Sequence, residues 1–185
     1  AALTVPLALD KQGDSPLLLN ALGGLKATMG ESMLVFAPHA NSWRRFVSQS
    51  YAPVAPTWGV NNRSVALRIP AGSIKARRIE HRPSGVDANP YLVATTVLAG
   101  IRHGLANRLD PGPETKGNGY EDAPENTGLP TDWRSAIAAA KGSTFLKKAL
   151  GEDLHRTFTS IKEAEYFRVA RTISNVDYHL YLHEV

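Results

Sequence analysis

The span from position 63 to position 82 contains six cationic residues and one carboxylate, Glu80. The cations are Arg63, Arg68, Lys75, Arg77, Arg78 and Arg82. Like charges at this density repel one another unless an anion lies between them, and a cation that leaves water needs hydrogen-bond partners. The stretch therefore has two interpretations: a binding site for an anionic ligand, or a solvated sheet face with surface ion pairs.

Two short strands are predicted to position these charges. Residues 65–69 alternate between apolar and other side chains, as in a half-buried strand, and Gly72 and Ser73 predict a turn after it. A second alternating run follows, with Arg78, Glu80 and Arg82 on one face and Ile79 and His81 on the other. Two strands with a tight connection would present guanidinium groups from a rigid backbone, as bidentate binding of phosphate or carboxylate requires.

The composition is that of an ordinary globular domain. The chain has 185 residues, 43% hydrophobic and 21% charged, which fits one domain with its own core. The formal net charge of +4 allows an anionic ligand or a nucleic acid without favouring either. The absence of cysteine excludes disulfides and thiolate metal sites. No apolar run has membrane-spanning length, and the N-terminal residues lack the positively charged region of a secretory signal. We therefore expect a cytoplasmic protein.

Helices are predicted on both sides of the strands. Ser15 and Pro16 cap and open a helix that Gly30 ends, and residues 31–37 form a further apolar element. Asn89 and Pro90 open a strongly apolar helix that continues to about Asn107. Its predicted core residues are Tyr91, Leu92, Ala94, Val97, Leu98, Ile101 and Leu105.

The C-terminal third is predicted to be a long loop followed by helices. Residues 108–130 are rich in Gly, Pro and acids, and helices are predicted from Thr131 and over 143–150. Ser160 and Glu163 have the spacing of a capping box and predict the start of a last helix. We expect that helix to direct Phe167, Val169 and Ile173 into the core.

Three isolated candidates have a structural and a functional interpretation each. A loop histidine such as His39 is more often a surface residue than a catalytic one. Trp58 is interpreted as a core anchor in preference to a lid. His179 and His183 have the i, i+4 spacing of a zinc pair, but a zinc-protease motif would place a glutamate directly after the first histidine.

The ordered motifs NNRSVALRIP, KARRIEHR and DANPY resemble the signature of the glutamine synthetase family around its nucleotide and glutamate sites. The resemblance extends from about Ser15 to the C-terminus and fades after Asp110. NSWRRF and YAPVAPTWGVNNR are more similar to the γ-glutamylpolyamine (γ-glutamylputrescine) synthetases than to the ammonia-using enzymes. The resemblance implies an α+β fold: the C-terminal portion of a glutamine synthetase-like catalytic domain, with short antiparallel strands packed with several helices.

The resemblance also implies a reaction and roles for residues. The family activates the γ-carboxylate of glutamate with ATP and then joins it to an amine. Arg63, Arg68 and Lys75 would contact ATP, and Glu80 would bind a divalent metal, Mg²⁺ or Mn²⁺. Arg45 and Arg82 would hold glutamate, and Arg82 would also be catalytic.

Two further positions and the assembly state follow from the same resemblance. Tyr51 stands where the ammonia-using enzymes have a glutamate, which favours an organic amine as the second substrate. Tyr120 lies near a position that some bacterial glutamine synthetases adenylylate, although its flanking residues match poorly. The full-length parent is expected to form a ring of identical subunits, with no nucleic-acid or membrane partner.

Three functions remain open from the sequence. The first is a ligase fragment covering residues 1–185, without the N-terminal domain and the upstream metal-ligand strands, and inactive alone. The second is a non-catalytic relative that binds a nucleotide or a partner. The third is a nucleic-acid-binding module, for which no recognised binding motif is found and which would show strongly salt-dependent binding.

Overall fold

Helices make up most of the regular structure in the part of the chain that the structure describes. The structure is a computed structural model, and it describes residues 15–47, 49–73, 77–121 and 129–182. The α-helices are α1 Pro16–Ala27, α2 Met29–Phe36, α3 Pro90–Asn107, α4 Trp133–Gly142, α5 Thr144–Leu150, α6 Glu152–Ala170 and α7 Asn175–Tyr181. A 3₁₀ helix covers Ala40–Arg45, and the strands are β1 Trp58–Val60, β2 Leu67–Ile69 and β3 Glu80–His81.

Side-chain caps begin two of the helices where the sequence predicted. The Ser15 hydroxyl accepts a hydrogen bond from the Leu18 amide at 3.2 Å, and Pro16 is the first residue of α1. The Asn89 side chain accepts from the amides of Tyr91 and Leu92 at the start of α3. A cap of this kind satisfies backbone donors that have no partner inside the helix, so the predicted starts are confirmed.

The three strands form one mixed sheet in the order β1-β2-β3. β2 and β3 pair antiparallel, with Arg68 opposite Glu80, as the alternating patterns predicted. β1 pairs parallel to β2, which no local pattern predicted. Leu67, Ile69 and His81 are buried, so one sheet face belongs to the core and the opposite face carries the charges.

Helices α1 and α3 approach so closely that glycines are required at the crossing. A Cβ on Gly104 would overlap the carbonyl oxygen of Asn20, and a Cβ on Gly24 would overlap that of Gly100. The crossing brings Leu22, Leu25 and Ile101 into one buried cluster with the sheet residues Leu67 and Ile69. The arrangement fixes the helices that lie behind the charged sheet face.

Two predicted helix boundaries are wrong. Gly30 lies inside α2, because the chain changes direction at Thr28, whose hydroxyl donates to the Gly24 carbonyl at 2.9 Å. Ser160 lies inside α6, which begins at Glu152 after Gly151. Gly151, which separates α5 from α6, has φ 82°. Residues other than glycine rarely adopt this backbone conformation.

Several predicted core residues are on the surface instead. On α3, Tyr91 and Leu98 are exposed, whereas Val97 and Ile101 are buried as expected. Phe167, Val169 and Ile173 are also exposed, so that part of the expected core is wrong. The residue type alone does not show which side of a helix packs against another element.

None of the described helices is both long and apolar enough to cross a bilayer.

We predict that Gly104→Ala destabilises the protein by about 3 kcal/mol, because the added methyl group meets backbone atoms of α1 that cannot move independently. Gly142→Ala is the matched control, since nothing lies within 4 Å of its would-be Cβ. The free energy of unfolding of Gly142→Ala should be unchanged or higher by up to about 1 kcal/mol. Urea denaturation followed by circular dichroism measures both, and equal effects would contradict the close crossing.

Candidate anion-binding site

Arg68 and Glu80 form the centre of the site because they are register partners on adjacent strands. Arg68 Nη1 donates to Glu80 Oε2 at 2.9 Å, and Arg68 Nη2 donates to Asn61 Oδ1 at 2.8 Å. The Arg68 side chain is 18% exposed and that of Glu80 is 30% exposed. Arg68 Nε is buried without a hydrogen-bond partner.

Arg82 follows β3 on the same face as Glu80. Its Nη1 donates to the Val65 carbonyl at 2.6 Å, and its Nη2 donates to the Tyr51 carbonyl at 2.7 Å. Partial burial lowers the pKa of Arg82; Glu80 and Tyr120 oppose that shift, while Arg68 and Arg63 add to it. The charges of these residues therefore act on one another across a single small region.

Arg45 ends the 3₁₀ helix and lies beside the same region. Its Nη2 donates to the Pro83 carbonyl, and its guanidinium carbon lies 4.2 Å from the centroid of the Phe46 ring. Burial lowers the pKa of Arg45, with Asp87 acting against the shift and Arg82 acting with it. Arg45 Nε is buried without a hydrogen-bond partner.

The structure brings most of the predicted site residues together. Arg68 and Arg82 are partly buried beside Glu80, Arg45 lies near Arg82 and Asp87, and Arg63 is exposed nearby in the segment before β2. Arg63 precedes the regular strand β2, so its side chain is not bound to the alternation that places Arg68 on the charged face. Lys75 lies outside the described residues. The roles of these residues toward particular ligands remain predictions.

Tyr120 and Asp87 contact the site, a role that the sequence analysis assigned to neither of them. The Tyr120 hydroxyl donates to the Ala52 carbonyl at 3.0 Å, across 68 positions of sequence. Asp87 Oδ2 accepts from the Ser42 hydroxyl at 2.5 Å and lies close enough to Arg45 to act on its charge. The DANPY motif was a signal for Asp87, because it places an acid just after the arginines.

The loop after α3 packs along β1, so it supports the site. Trp58 is buried and its Nε1 donates to the Gly112 carbonyl at 2.9 Å, which fits its interpretation as a core anchor. The Thr115 amide donates to the Trp58 carbonyl at 2.9 Å, and the Val60 amide donates to Glu114 Oε1 at 2.9 Å. The edge of the sheet is therefore covered by this loop.

The described residues do not by themselves form a divalent-metal site. Among them there is no group of three or more His, Cys, Asp or Glu side chains placed to hold a metal ion. Glu80 is paired with Arg68, a contact that competes with metal binding. His179 is exposed on α7 and His183 lies outside the described residues, so the structure gives no support to a zinc pair there.

His81 occupies the core face of β3. It is 5% exposed, and its ring packs edge-on against Phe36 with the centroids 4.5 Å apart. Burial lowers the pKa of His81 to about 3, so the imidazole is neutral at ordinary pH.

The fold is that of a glutamine synthetase catalytic domain. Residues 6–181 match the family described as "Glutamine synthetase, catalytic domain", and the chain belongs to the glutamine synthetase family. The predicted family and the α+β fold class are thereby confirmed.

Individual relatives include enzymes that use different amines. The chain is 40% identical over 169 residues to gamma-glutamylputrescine synthetase PuuA of Escherichia coli, covering 91% of this chain and 35% of that protein. It is 34% identical over 153 residues to gamma-glutamylethanolamide synthetase GlnA4 of Streptomyces coelicolor, covering 83% of this chain and 32% of that protein. The solved structure "Apo GmaS without ligand" superposes with a TM-score of 0.82 at 27% identity, over 96% of this chain and 41% of that chain. The chain thus spans about a third of the length of these curated relatives.

We predict that acid destabilises the fold through His81. Its folded pKa is about 3 and its ordinary pKa is 6.5, so below pH 6.5 the unfolded chain binds a proton that the folded chain does not. The free energy of unfolding should fall by about 2 kcal/mol between pH 6.5 and pH 5, and His81→Leu should remove that part of the pH dependence. His179→Gln, at an exposed site, is the control. Urea midpoints at the two pH values measure the effect, and identical pH dependence in His81→Leu and wild type would contradict it.

We predict that Arg82→Lys destabilises the protein by about 1–2 kcal/mol although the charge is kept. A lysine ammonium cannot reproduce the fork that reaches the Val65 and Tyr51 carbonyls together. Arg44→Lys is the matched control, because Arg44 is exposed and should change stability by less than about 0.5 kcal/mol. Thermal and urea denaturation compare the two, and equal stability would show that the carbonyl contacts contribute nothing.

Proposed function

We propose that the protein to which this chain belongs ligates the γ-carboxylate of glutamate to an organic amine at the expense of ATP, through γ-glutamyl phosphate. The observation that carries the proposal is the cluster of Arg68 and Arg82 beside Glu80, with Arg63 close by and Arg45 near Arg82 and Asp87. Such a surplus of guanidinium groups suits two anions at once, a carboxylate and a polyphosphate.

Each arginine has a role that its position supports. Arg45 and Arg82 would hold glutamate, and the effect of the Arg82 charge on the pKa of Arg45 is consistent with a shared anion between them. Arg63 and Arg68 would contact the ATP phosphates, together with Lys75. Neutralising the phosphate oxygens lets the γ-carboxylate attack the terminal phosphorus while ADP leaves. The amine nitrogen then attacks the γ-carbonyl and phosphate leaves.

The nature of the amine is proposed from Tyr51. This residue is 67% exposed and its backbone carbonyl accepts a hydrogen bond from Arg82, so its backbone lies next to the proposed glutamate position. A phenol ring offers an apolar surface for an alkyl chain and no carboxylate to attract a bare ammonium ion. The relatives that act on putrescine and ethanolamine support this choice.

The metal requirement is proposed to be met only in part by this chain. Glu80 would be one ligand of Mg²⁺ or Mn²⁺ once it separates from Arg68, and the metal would supply charge neutralisation at the phosphates. Further ligands have to come from beyond the described residues. We therefore propose that residues 1–185 are part of a catalytic domain and inactive alone, within a parent that assembles as a homo-oligomeric ring.

The proposal predicts a pattern of ADP release. With Mg²⁺, ATP and glutamate, the 185-residue chain alone should be silent with both ammonium and putrescine. A longer protein that adds the family's upstream sequence should turn over, with putrescine preferred to ammonium. Arg45→Lys in that longer protein should lower kcat/KM for glutamate by about 10- to 100-fold, since one bidentate contact is lost.

Two outcomes would contradict the proposal in different ways. Amine-dependent turnover by the 185-residue chain would show that its own residues complete the metal site. Silence of the longer protein with every amine tested would favour a non-catalytic protein that binds a nucleotide or a partner.

A further inference from the structure

The segment Gln49–Pro53, which we call the elbow, has a backbone that is unusual for its residue types. Gln49 has φ 63° and Tyr51 has φ 60°, both in the left-handed region that residues other than glycine seldom adopt. Such conformations persist where surrounding contacts hold them. The elbow therefore depends on its hydrogen bonds to the rest of the structure.

Two side chains from distant elements hold adjacent carbonyls of the elbow. Arg82 Nη2 donates to the Tyr51 carbonyl at 2.7 Å, and the Tyr120 hydroxyl donates to the Ala52 carbonyl at 3.0 Å. Inside the elbow, the Ser50 hydroxyl donates to the Arg45 carbonyl at 2.7 Å and accepts from the Ala52 amide at 3.2 Å. The elbow is thus fixed at two neighbouring points from outside and folded tightly within.

Tyr120 is itself anchored next to the arginines. Its amide donates to Asn118 Oδ1 at 3.2 Å, and the preceding Gly119 amide donates to the Ser64 hydroxyl at 2.8 Å. A Cβ on Gly119 would lie 2.8 Å from the Ser64 carbonyl oxygen, so the loop has no room to shift toward that turn. The position of the Tyr120 ring is therefore set by the turn that carries Arg63.

The two external contacts differ in how they respond to a bound anion. A charged oxygen is a stronger acceptor for a guanidinium group than a neutral carbonyl is. An anion at Arg82 therefore competes with the Tyr51 carbonyl, while the Tyr120 hydroxyl has no charge to be drawn away. Tyr120 is the contact that can keep the elbow in place when Arg82 engages its ligand.

We propose that Tyr120 is a positioning residue that, together with Arg82, holds the elbow and thereby fixes the side chain of Tyr51 at the entrance for the amine. The hydrogen bonds described above support the part of the proposal in which Tyr120 and Arg82 hold the elbow. The consequence for the amine rests on the proposed function.

Hydrogen exchange in the 185-residue chain tests the holding of the elbow without any need for activity. Tyr120→Phe removes one hydroxyl, and the amides of Ser50 and Ala52 should exchange about fivefold faster, the value of one neutral hydrogen bond. Adding glutamate as the anion should enlarge the difference between variant and wild type. Tyr91→Phe is the matched control, because Tyr91 is 80% exposed and far along the sequence on α3. Unchanged exchange at Ser50 and Ala52 in Tyr120→Phe would overturn the proposal.

Steady-state kinetics of the longer protein tests the consequence for the amine. Tyr120→Phe should raise KM for the amine about fivefold while kcat and KM for ATP stay within about twofold, because the hydroxyl touches neither the nucleotide nor the reacting atoms. Equal rises in KM for ATP and for the amine would overturn the positioning role. If the longer protein turns over no amine at all, the proposed function fails, and the exchange rates still decide whether Tyr120 holds the elbow.

Discussion

Repulsion between guanidinium groups is the constraint on which the rest of this structure depends. The sheet and its flanking segments place Arg45, Arg68 and Arg82 in one region, with Glu80 as the counter-charge of Arg68 and Arg82 and Asp87 as that of Arg45. Backbone carbonyls supply much of the remaining compensation: Val65 and Tyr51 accept from Arg82, and Pro83 accepts from Arg45. Carbonyls satisfy donors without cancelling charge, so the site stays positive and an anion would stabilise it.

The core behind the site explains how so short a sheet can hold such charges. β3 has Glu80 on the charged face and His81 against Phe36 on the other, so one pair of residues joins the site to α2. The Gly85 amide donates to the Phe36 carbonyl at 2.9 Å and ties the segment after β3 to the end of the same helix. The glycine crossing of α1 and α3 keeps the helices behind it in place. Packing and charge placement are therefore coupled through a few residues.

Local chemistry in the sequence was enough to predict the parts of the site that lie on regular elements. Period-two alternation separated Arg68 and Glu80 from the core residues, and the Asn89 cap placed α3. Contacts across long separations left no such signal. The bond from Tyr120 to Ala52 and the parallel pairing of β1 both depend on the path of a loop. The exposed apolar residues of α6 were misplaced because helical periodicity shows which side chains share a face but not whether anything covers it.

The most direct test of an anion site is a titration of the 185-residue chain with ADP, followed by NMR of the arginine Nε–H groups. We expect saturable shifts at Arg63 and Arg68, with smaller shifts at Arg45 and Arg82. The resonances of the exposed Arg44 and Arg134 should not move. Shifts that never saturate, or that affect all arginines equally and vanish with moderate salt, would rule out an anion site, because they are the behaviour of a solvated charged surface.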